Sequence, residues 1–224
     1  MMKVALVYTS TTPELIETVE REIRKQIGED IELISYEDAS ILKDAIEAGK
    51  VPAKAAARLI SIYMQAVQED AEAIINLCSS VGEVADAAQK LSKYIGVPIV
   101  RVDEEMCREA VRSGKRIGVM ATLSSTLNPT KNTLYRVARE IGADVELVDG
   151  LIEGAFGLDQ TSFKAKMLEK ANAMKSQVDV LLFAQGSMAY CEDYIAKQCN
   201  MKVLSSPRFG AKALRDALKS KGVL

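Results

Sequence analysis

Apolar stretches and helical patterns alternate along the whole chain. Short runs rich in β-branched and aliphatic residues fall at 3–8 (KVALVY), 31–36 (IELISY), 72–78 (EAIINLC), 98–102 (PIVRV), 116–121 (RIGVMA), 144–149 (DVELVD), 179–184 (DVLLFA) and 202–206 (KVLSS). Runs without strict polar–apolar alternation predict strands covered on both faces, as in a parallel sheet. Between them the period changes to that of a helix. Residues 13–27 place Leu15, Val19, Ile23 and Ile27 on one face, and residues 55–70 gather Leu59, Ile62, Tyr63, Ala66 and Val67. A strand followed by a helix, repeated many times, predicts an α/β fold with right-handed crossovers.

The pattern also repeats at a larger scale. VALVYTSTTPELIETVEREIRKQIGEDIELIS in the first half matches IGVMATLSSTLNPTKNTLYRVAREIGADVELVD in the second. Each has an apolar strand, a Ser/Thr cluster, a helix ending in Ile-Gly, an acidic residue and a second strand. Each half then offers a third element, EAIINLCSSVGEVAD or DVLLFAQGSMAYCED. Laid end to end, these place Cys78 opposite Gln185, Ser80 opposite Ser187, and Glu83-Val84-Ala85-Asp86 opposite Tyr190-Cys191-Glu192-Asp193. A duplicated fold with a boundary near Ser113-Gly114 accounts for the match. The expected organisation is a first lobe over 1–113 carrying the Cys78 turn and a second over 114–224 carrying the Gln185 turn. The C-terminal segment is free to pack back on the first lobe.

Composition narrows the function. A chain of 224 residues with 48% hydrophobic and 27% charged residues has the makeup of a soluble globular protein with a sizeable core. The net charge is −2 with both signs interspersed, so no basic stripe or aromatic platform points to nucleic acid. No apolar stretch approaches the roughly 18 residues that cross a bilayer, and MMKVALVYTS reads as a first strand, not a signal peptide. Cys78, Cys107, Cys191 and Cys199 match no zinc or redox spacing, and a cytoplasmic location with reduced thiols is the expectation. The chain contains no histidine, which excludes Ser-His-Asp and Cys-His catalysis and the common zinc enzymes. Acid–base chemistry near neutral pH is left to thiols, carboxylates, lysines, tyrosines or bound water. There is no glycine-rich dinucleotide fingerprint and no phosphate-binding loop, so no nucleotide, metal or covalent cofactor is expected.

Open parallel sheets bind ligands beyond the carboxyl ends of their strands. Four Ser/Thr-rich turns follow strands here: Thr9-Ser10-Thr11-Thr12, Ser79-Ser80, Thr122-Leu123-Ser124-Ser125-Thr126 and Gly186-Ser187. Any one of them reads as an ordinary helix cap. Four at equivalent strand ends point to a site for a small carboxylate or phosphate, met by backbone N–H groups and the positive ends of helix dipoles. Cys78 sits where an apolar strand gives way to small polar residues. At a helix start its pKa is expected below about 8.5, suited to a base or a nucleophile. The ordinary reading of the same residue is an inert buried cysteine. Cys107 and Cys199 fall in helical patterns, and Cys191 lies beyond Gln185 in the next helix. Arg58 and Arg208 are possible counter-charges or plain salt-bridged arginines, and Asp103 reads as a cap of the helix that follows it.

These pieces resemble the aspartate/glutamate/hydantoin racemase superfamily. The resemblance rests on YTSTT after the first strand, NLCSSVGE, PIVRVDEEM, GVMATLSSTLNPT, LFAQGSMA and LSSPRFG, in that order along nearly the whole chain. It implies two similar Rossmann-like lobes with parallel sheets, related by a pseudo-twofold, with the active site in the cleft between them. It also implies a cofactor-independent reaction at a carbon next to a carboxylate or carbonyl of a small acid, and a possible homodimer. Two-base racemases of this family use one cysteine to remove a proton and a second to deliver one to the opposite face. Cys78 stands at the first cysteine position; Gln185 stands at the second, and an amide does not titrate near neutral pH. By resemblance, Thr9, Ser10, Ser79, Ser80, Thr122, Ser125, Thr126 and Ser187 bind the substrate carboxylate and stabilise an enolate-like state. Three readings follow: a racemase or isomerase with Cys78 as one base and another group or water as its partner, a lyase or hydrolase with Cys78 as nucleophile or lone proton donor and Gln185 hydrogen-bonding the substrate, and a binder of a small acid without turnover.

Overall fold

The computed structural model describes residues 1–224, and the chain packs as two units. The first contains β1 (Met2–Tyr8), α1 (Pro13–Ile27), β2 (Ile31–Glu37), α2 (Ala39–Ala48), α3 (Ala53–Gln68), β3 (Ala73–Asn76), α4 (Gly82–Gln89), α5 (Ser92–Ile95) and β4 (Ile99–Arg101). The second contains α6 (Glu104–Ser113), β5 (Arg116–Ala121), α7 (Ser124–Ile141), β6 (Glu146–Leu151), α8 (Gln160–Met174), β7 (Val180–Phe183), α9 (Glu192–Cys199) and β8 (Val203–Leu204). The last helix, α10 (Ser206–Lys221), returns to the first unit. No helix is long and apolar enough to cross a membrane.

Each unit holds a four-stranded parallel sheet, and the order is the same: β2-β1-β3-β4 in one, β6-β5-β7-β8 in the other. The interior strands β3 and β7 are buried at every position, as expected of strands with helices on both faces. In the first unit, Val4, Leu6 and Tyr8 of β1 face a core closed by α1 and α10, while Ala5 and Val7 face one closed by α2, α3 and α4. In the second, α8 and α9 cover one face of the sheet, and α6 and α7 pack against β7 and β5.

Local chemistry sets the element ends. Thr12 caps α1 by accepting from Leu15 N at 3.2 Å, and Pro13 occupies the first helical position, where its missing N–H costs nothing. β6 starts two residues later than the expected 144–149. It is held in register with β5 from Arg116↔Glu146 to Ala121↔Leu151, so the ladder follows the length of its partner. β8 is shorter than expected, because Ser206 already begins α10.

The packing of two helices governs how the units divide. α6, which a boundary near Ser113-Gly114 assigns to the first lobe, packs on α7 and β7 of the second. α10 buries Ala211, Leu214 and Leu218 in the β1 core. The first unit is therefore Met1–Val102 with Pro207–Leu224, and the second is Asp103–Ser206.

Candidate active site

In the first unit the sheet ends in a turn built around a buried amide. Leu77 N continues the ladder to Val7 O at 2.8 Å. Cys78 follows in extended conformation (φ −125°, ψ 112°), then a short 3-10 turn at Ser79–Val81 leads into α4. Asn76, only 1% exposed, accepts a hydrogen bond from the Tyr63 hydroxyl at 3.0 Å and donates through Nδ2 to the Cys78 carbonyl at 2.9 Å. Arg101 is the register partner of Asn76 on β4. Its side chain is fully buried and bonds Asp86 Oδ2 at 2.6 Å. Its guanidinium lies against Gly82, the first residue of α4, where a β-carbon would stand 2.6 Å from Cζ.

Cys78 is half-buried; Cys107, Cys191 and Cys199 are buried. Desolvation pushes the Cys78 thiol above the ordinary cysteine value. The Thr9 and Ser80 hydroxyls and the N–H groups of Val81 and Ser80 act against that rise without cancelling it. This corrects the expectation of a lowered pKa. The helix start does supply donors, but loss of water around the sulfur outweighs them. Cys191 is raised to about 11, again chiefly by burial.

The other hydroxyls of this unit collect near the same strand ends. Thr9 is buried and Ser10 half-buried beyond β1, while the helix cap itself is Thr12. Ser79 and Ser80 are buried beside Cys78. Tyr8 Oη and Ser79 Oγ are buried without a hydrogen-bond partner in the protein. Burial, with Glu20 and Glu37 nearby, drives the Tyr8 phenol far above its usual range.

The second unit repeats the turn without a thiol. Gln185 stands two residues beyond β7 (φ −118°, ψ 133°), ahead of a 3-10 segment at Gly186–Cys191 that includes Ser187. Its Oε1 accepts from Thr122 N at 2.7 Å and from the Thr122 hydroxyl at 3.0 Å, and its Nε2 donates to Thr122 Oγ1 at 2.8 Å. Thr122 and Thr126 are buried. Ser125 Oγ is buried and unbonded within the protein. The cap positions of α7 and of the two 3-10 turns are Leu123, Cys78 and Gln185, none of which makes a side-chain cap bond.

Three secondary candidates resolve simply. Arg58 pairs with Asp44 at 2.6 Å and Asp38 at 3.5 Å, a salt-bridged arginine. Arg208 stacks on the Phe209 ring at 4.6 Å. Asp103 stands at the start of α6 but makes no side-chain cap bond. The sequence reading missed Asn76, Tyr63, Arg101 and Tyr8. The available signal was a polar residue inside an otherwise apolar strand, as Asn76 is in AIIN and Arg101 in IVR.

The chain is similar to known proteins over nearly its whole length. The profile of the Asp/Glu/Hydantoin racemase family matches residues 4–214. No curated protein matches the sequence. An allantoin racemase from Klebsiella pneumoniae superposes with a TM-score of 0.71 at 14% identity, over 100% of this chain and 89% of that one. A glutamate racemase from Bacillus anthracis gives 0.71 at 18% identity, over 100% and 84%. An unliganded arylmalonate decarboxylase gives 0.62 at 12% identity, over 99% and 93%. At such identities these likenesses speak for the fold.

Proposed function

The chain belongs to the Asp/Glu/Hydantoin racemase family, and from that premise we propose that it is a cofactor-independent racemase or isomerase of a small carboxylic acid, with Cys78 as its base. The observation that carries this reading is the environment of Cys78. It is the one half-buried thiol of four, it lies just past a parallel strand, and Thr9, Ser80 and Val81 offer donors that favour its ionised form. A thiol of raised pKa is a strong base once ionised. The sulfur takes the proton from the carbon beside the carboxylate, and the electron pair moves into an enolate. In the first unit, donors at Thr9, Ser10, Ser79 and Ser80 hold the carboxylate and stabilise that charge, each worth roughly 3 kcal/mol where it meets the enolate oxygen. In the second, Ser125, Thr126 and Ser187 are the corresponding donors, joined by Thr122 when Gln185 releases it. The buried, unbonded hydroxyls of Ser79 and Ser125 support this role. Gln185 does not replace a second thiol in proton transfer. A proton reaching the opposite face of the carbon comes from water or another group.

One observation favours a second reading, a lyase. A thiol kept protonated by burial still holds a proton that a strongly basic enolate can take. In a decarboxylation the carbon–carboxylate bond breaks, carbon dioxide leaves, the electron pair forms an enolate, and the Cys78 proton completes the product. Water then reprotonates the sulfur. Under either reading the protein is expected to act in the cytoplasm, and pairing as a homodimer fits both.

Solvent deuterium separates the readings. A panel of small chiral mono- and dicarboxylates is incubated with the wild-type protein and with Cys78→Ser in D₂O. Deuterium entering the α-carbon with loss of chirality, absent in Cys78→Ser, supports racemisation. A new product that depends on Cys78 supports the lyase. Ligand-induced thermal stabilisation retained in Cys78→Ser, with no exchange and no product in either protein, identifies a binder without turnover.

A further inference from the structure

The two topologically equivalent turns are held in different ways. Asn76 ends β3 and Phe183 ends β7, each two residues before the turn residue, Cys78 or Gln185. The backbone course of the two turn residues is nearly the same. Phe183 is fully buried in an apolar cluster, so this turn forms without any buried amide at that position. A turn of this course thus has two different supports in one chain, an apolar ring in the second unit and a bonded amide in the first. A buried amide is unfavourable unless its groups are bonded, and here both ends are used, one by Tyr63 and one by the Cys78 carbonyl.

The difference reaches the sulfur. In the second unit the Gln185 carbonyl accepts from Met188 N, three residues on, at 3.0 Å. In the first, the Cys78 carbonyl at the head of the 3-10 turn also accepts from the Asn76 side-chain amide at 2.9 Å, and the backbone N–H groups of Ser80 and Val81 favour the ionised form of the Cys78 thiol. We propose that Asn76 and Tyr63 are positioning residues for the Cys78 thiol: Tyr63 orients the Asn76 amide, and the amide holds the Cys78 carbonyl and so fixes the backbone from which the sulfur projects at the head of the 3-10 turn. The claim rests on the reading of Cys78 as the reacting group for its functional meaning, while the geometry concerns the thiol alone. The charged and titratable groups on this network are Tyr63, Arg101 and Asp86. None of them changes in Asn76→Ala, and Tyr63→Phe removes only the phenol hydroxyl.

The test is the pH dependence of Cys78 alkylation by iodoacetamide, measured in the full chain. Cys78→Ser identifies the Cys78 signal against the three buried thiols. Asn76→Ala and Tyr63→Phe are compared with wild type, with folding of each followed by circular dichroism. The expected result is a midpoint raised by about half a unit in both, equal to roughly threefold less thiolate at a fixed pH below it. If Asn76→Ala does not fold, Tyr63→Phe decides alone. A folded Tyr63→Phe that melts earlier yet keeps the wild-type midpoint overturns the proposal, because a merely structural hydrogen bond behaves that way. A shifted midpoint in a protein whose turnover ignores Cys78→Ser would leave the positioning intact and remove the functional reading. Turnover that depends on Cys78 with an unmoved midpoint would do the reverse.

Discussion

Gln185 is bonded to Thr122 at both ends of its amide, with Oε1 taking the Thr122 N–H at 2.7 Å and Nε2 reaching the Thr122 hydroxyl at 2.8 Å. The turn after β7 is thereby tied to the turn after β5 within one unit, across the neighbouring strands of its sheet. The amide oxygen accepts both donors of Thr122, its N–H and its hydroxyl. Gln185→Ala is expected to cost about 1–2 kcal/mol, since the Thr122 N–H and hydroxyl lose their partners in a part-buried place. Urea unfolding of Gln185→Ala, Thr122→Ala and the double variant measures the coupling. Additive single effects would mean that the contact carries no stability.

The Cys78 thiol makes stability depend on alkaline pH. Its pKa in the folded chain lies above the unfolded value because the buried sulfur resists ionisation. The folded state then holds the proton more tightly. This contribution is fully present below the ordinary cysteine pKa and is lost as pH rises from that value through the folded one. Tyr8, Tyr36 and Tyr63 are raised as well, chiefly by burial, and add slopes of the same sign. The informative quantity is therefore the difference between wild type and Cys78→Ser. Unfolding from about pH 7 to about pH 10 should show wild type losing stability faster than the variant. Parallel curves would contradict the raised thiol.

The layout of the fold was legible because it is written in local periodicity. Residues 13–27 read as a helix and form α1 over that range, and the eight apolar runs all contain strands. The shared order of the two sheets matches the repeat seen between YTSTTPELI and ATLSSTLNP. The thiol's environment was not legible. Whether a sulfur is desolvated depends on how the fold packs around it; Thr9, which opposes the effect, comes from another strand end, and no spacing rule reports either. The same holds for Gln185. Its amide reads in sequence as a group offered to a ligand, but its partner Thr122 is distant along the chain. Asn76 and Arg101 announced themselves only as polar residues in apolar strands, a signal that gives burial without giving a partner.

A second pH effect, of opposite direction, belongs to the ion network joining α6 to α7. Burial favours protonation of Glu104, but Arg136 at 3.2 Å and Arg108 at 2.7 Å more than reverse it, so its pKa falls below the usual range. Glu140 joins both arginines and is lowered by them. A depressed carboxylate contributes stability that is present above its unfolded pKa and lost as pH falls through the folded one. Glu104→Gln is expected to cost about 2 kcal/mol at neutral pH and to flatten the acid limb of the stability curve. A wild-type slope below about pH 4.5 that survives in Glu104→Gln would place the effect elsewhere.

Gly82 is the remaining lever on the Cys78 turn. It starts α4 with ordinary helical angles (φ −58°, ψ −30°), so a side chain meets no backbone penalty there. What forbids one is Arg101, since a β-carbon would come 2.6 Å from Cζ and 2.8 Å from Nε. A surface arginine would swing away at little cost. This one has a fully buried side chain held to Asp86 at 2.6 Å, so either the ion pair or the first turn of α4 must shift. Gly82→Ala should therefore destabilise by about 1–3 kcal/mol, the range for overfilling a packed interior. Because α4 directly follows the 3-10 turn that Cys78 heads, the same variant should change the Cys78 alkylation rate. Gly82→Ala paired with Arg101→Met separates the two causes. If the guanidinium is the obstacle, Gly82→Ala costs less in the Arg101→Met background than in wild type; an equal cost would mean that the helix start itself rejects the methyl group.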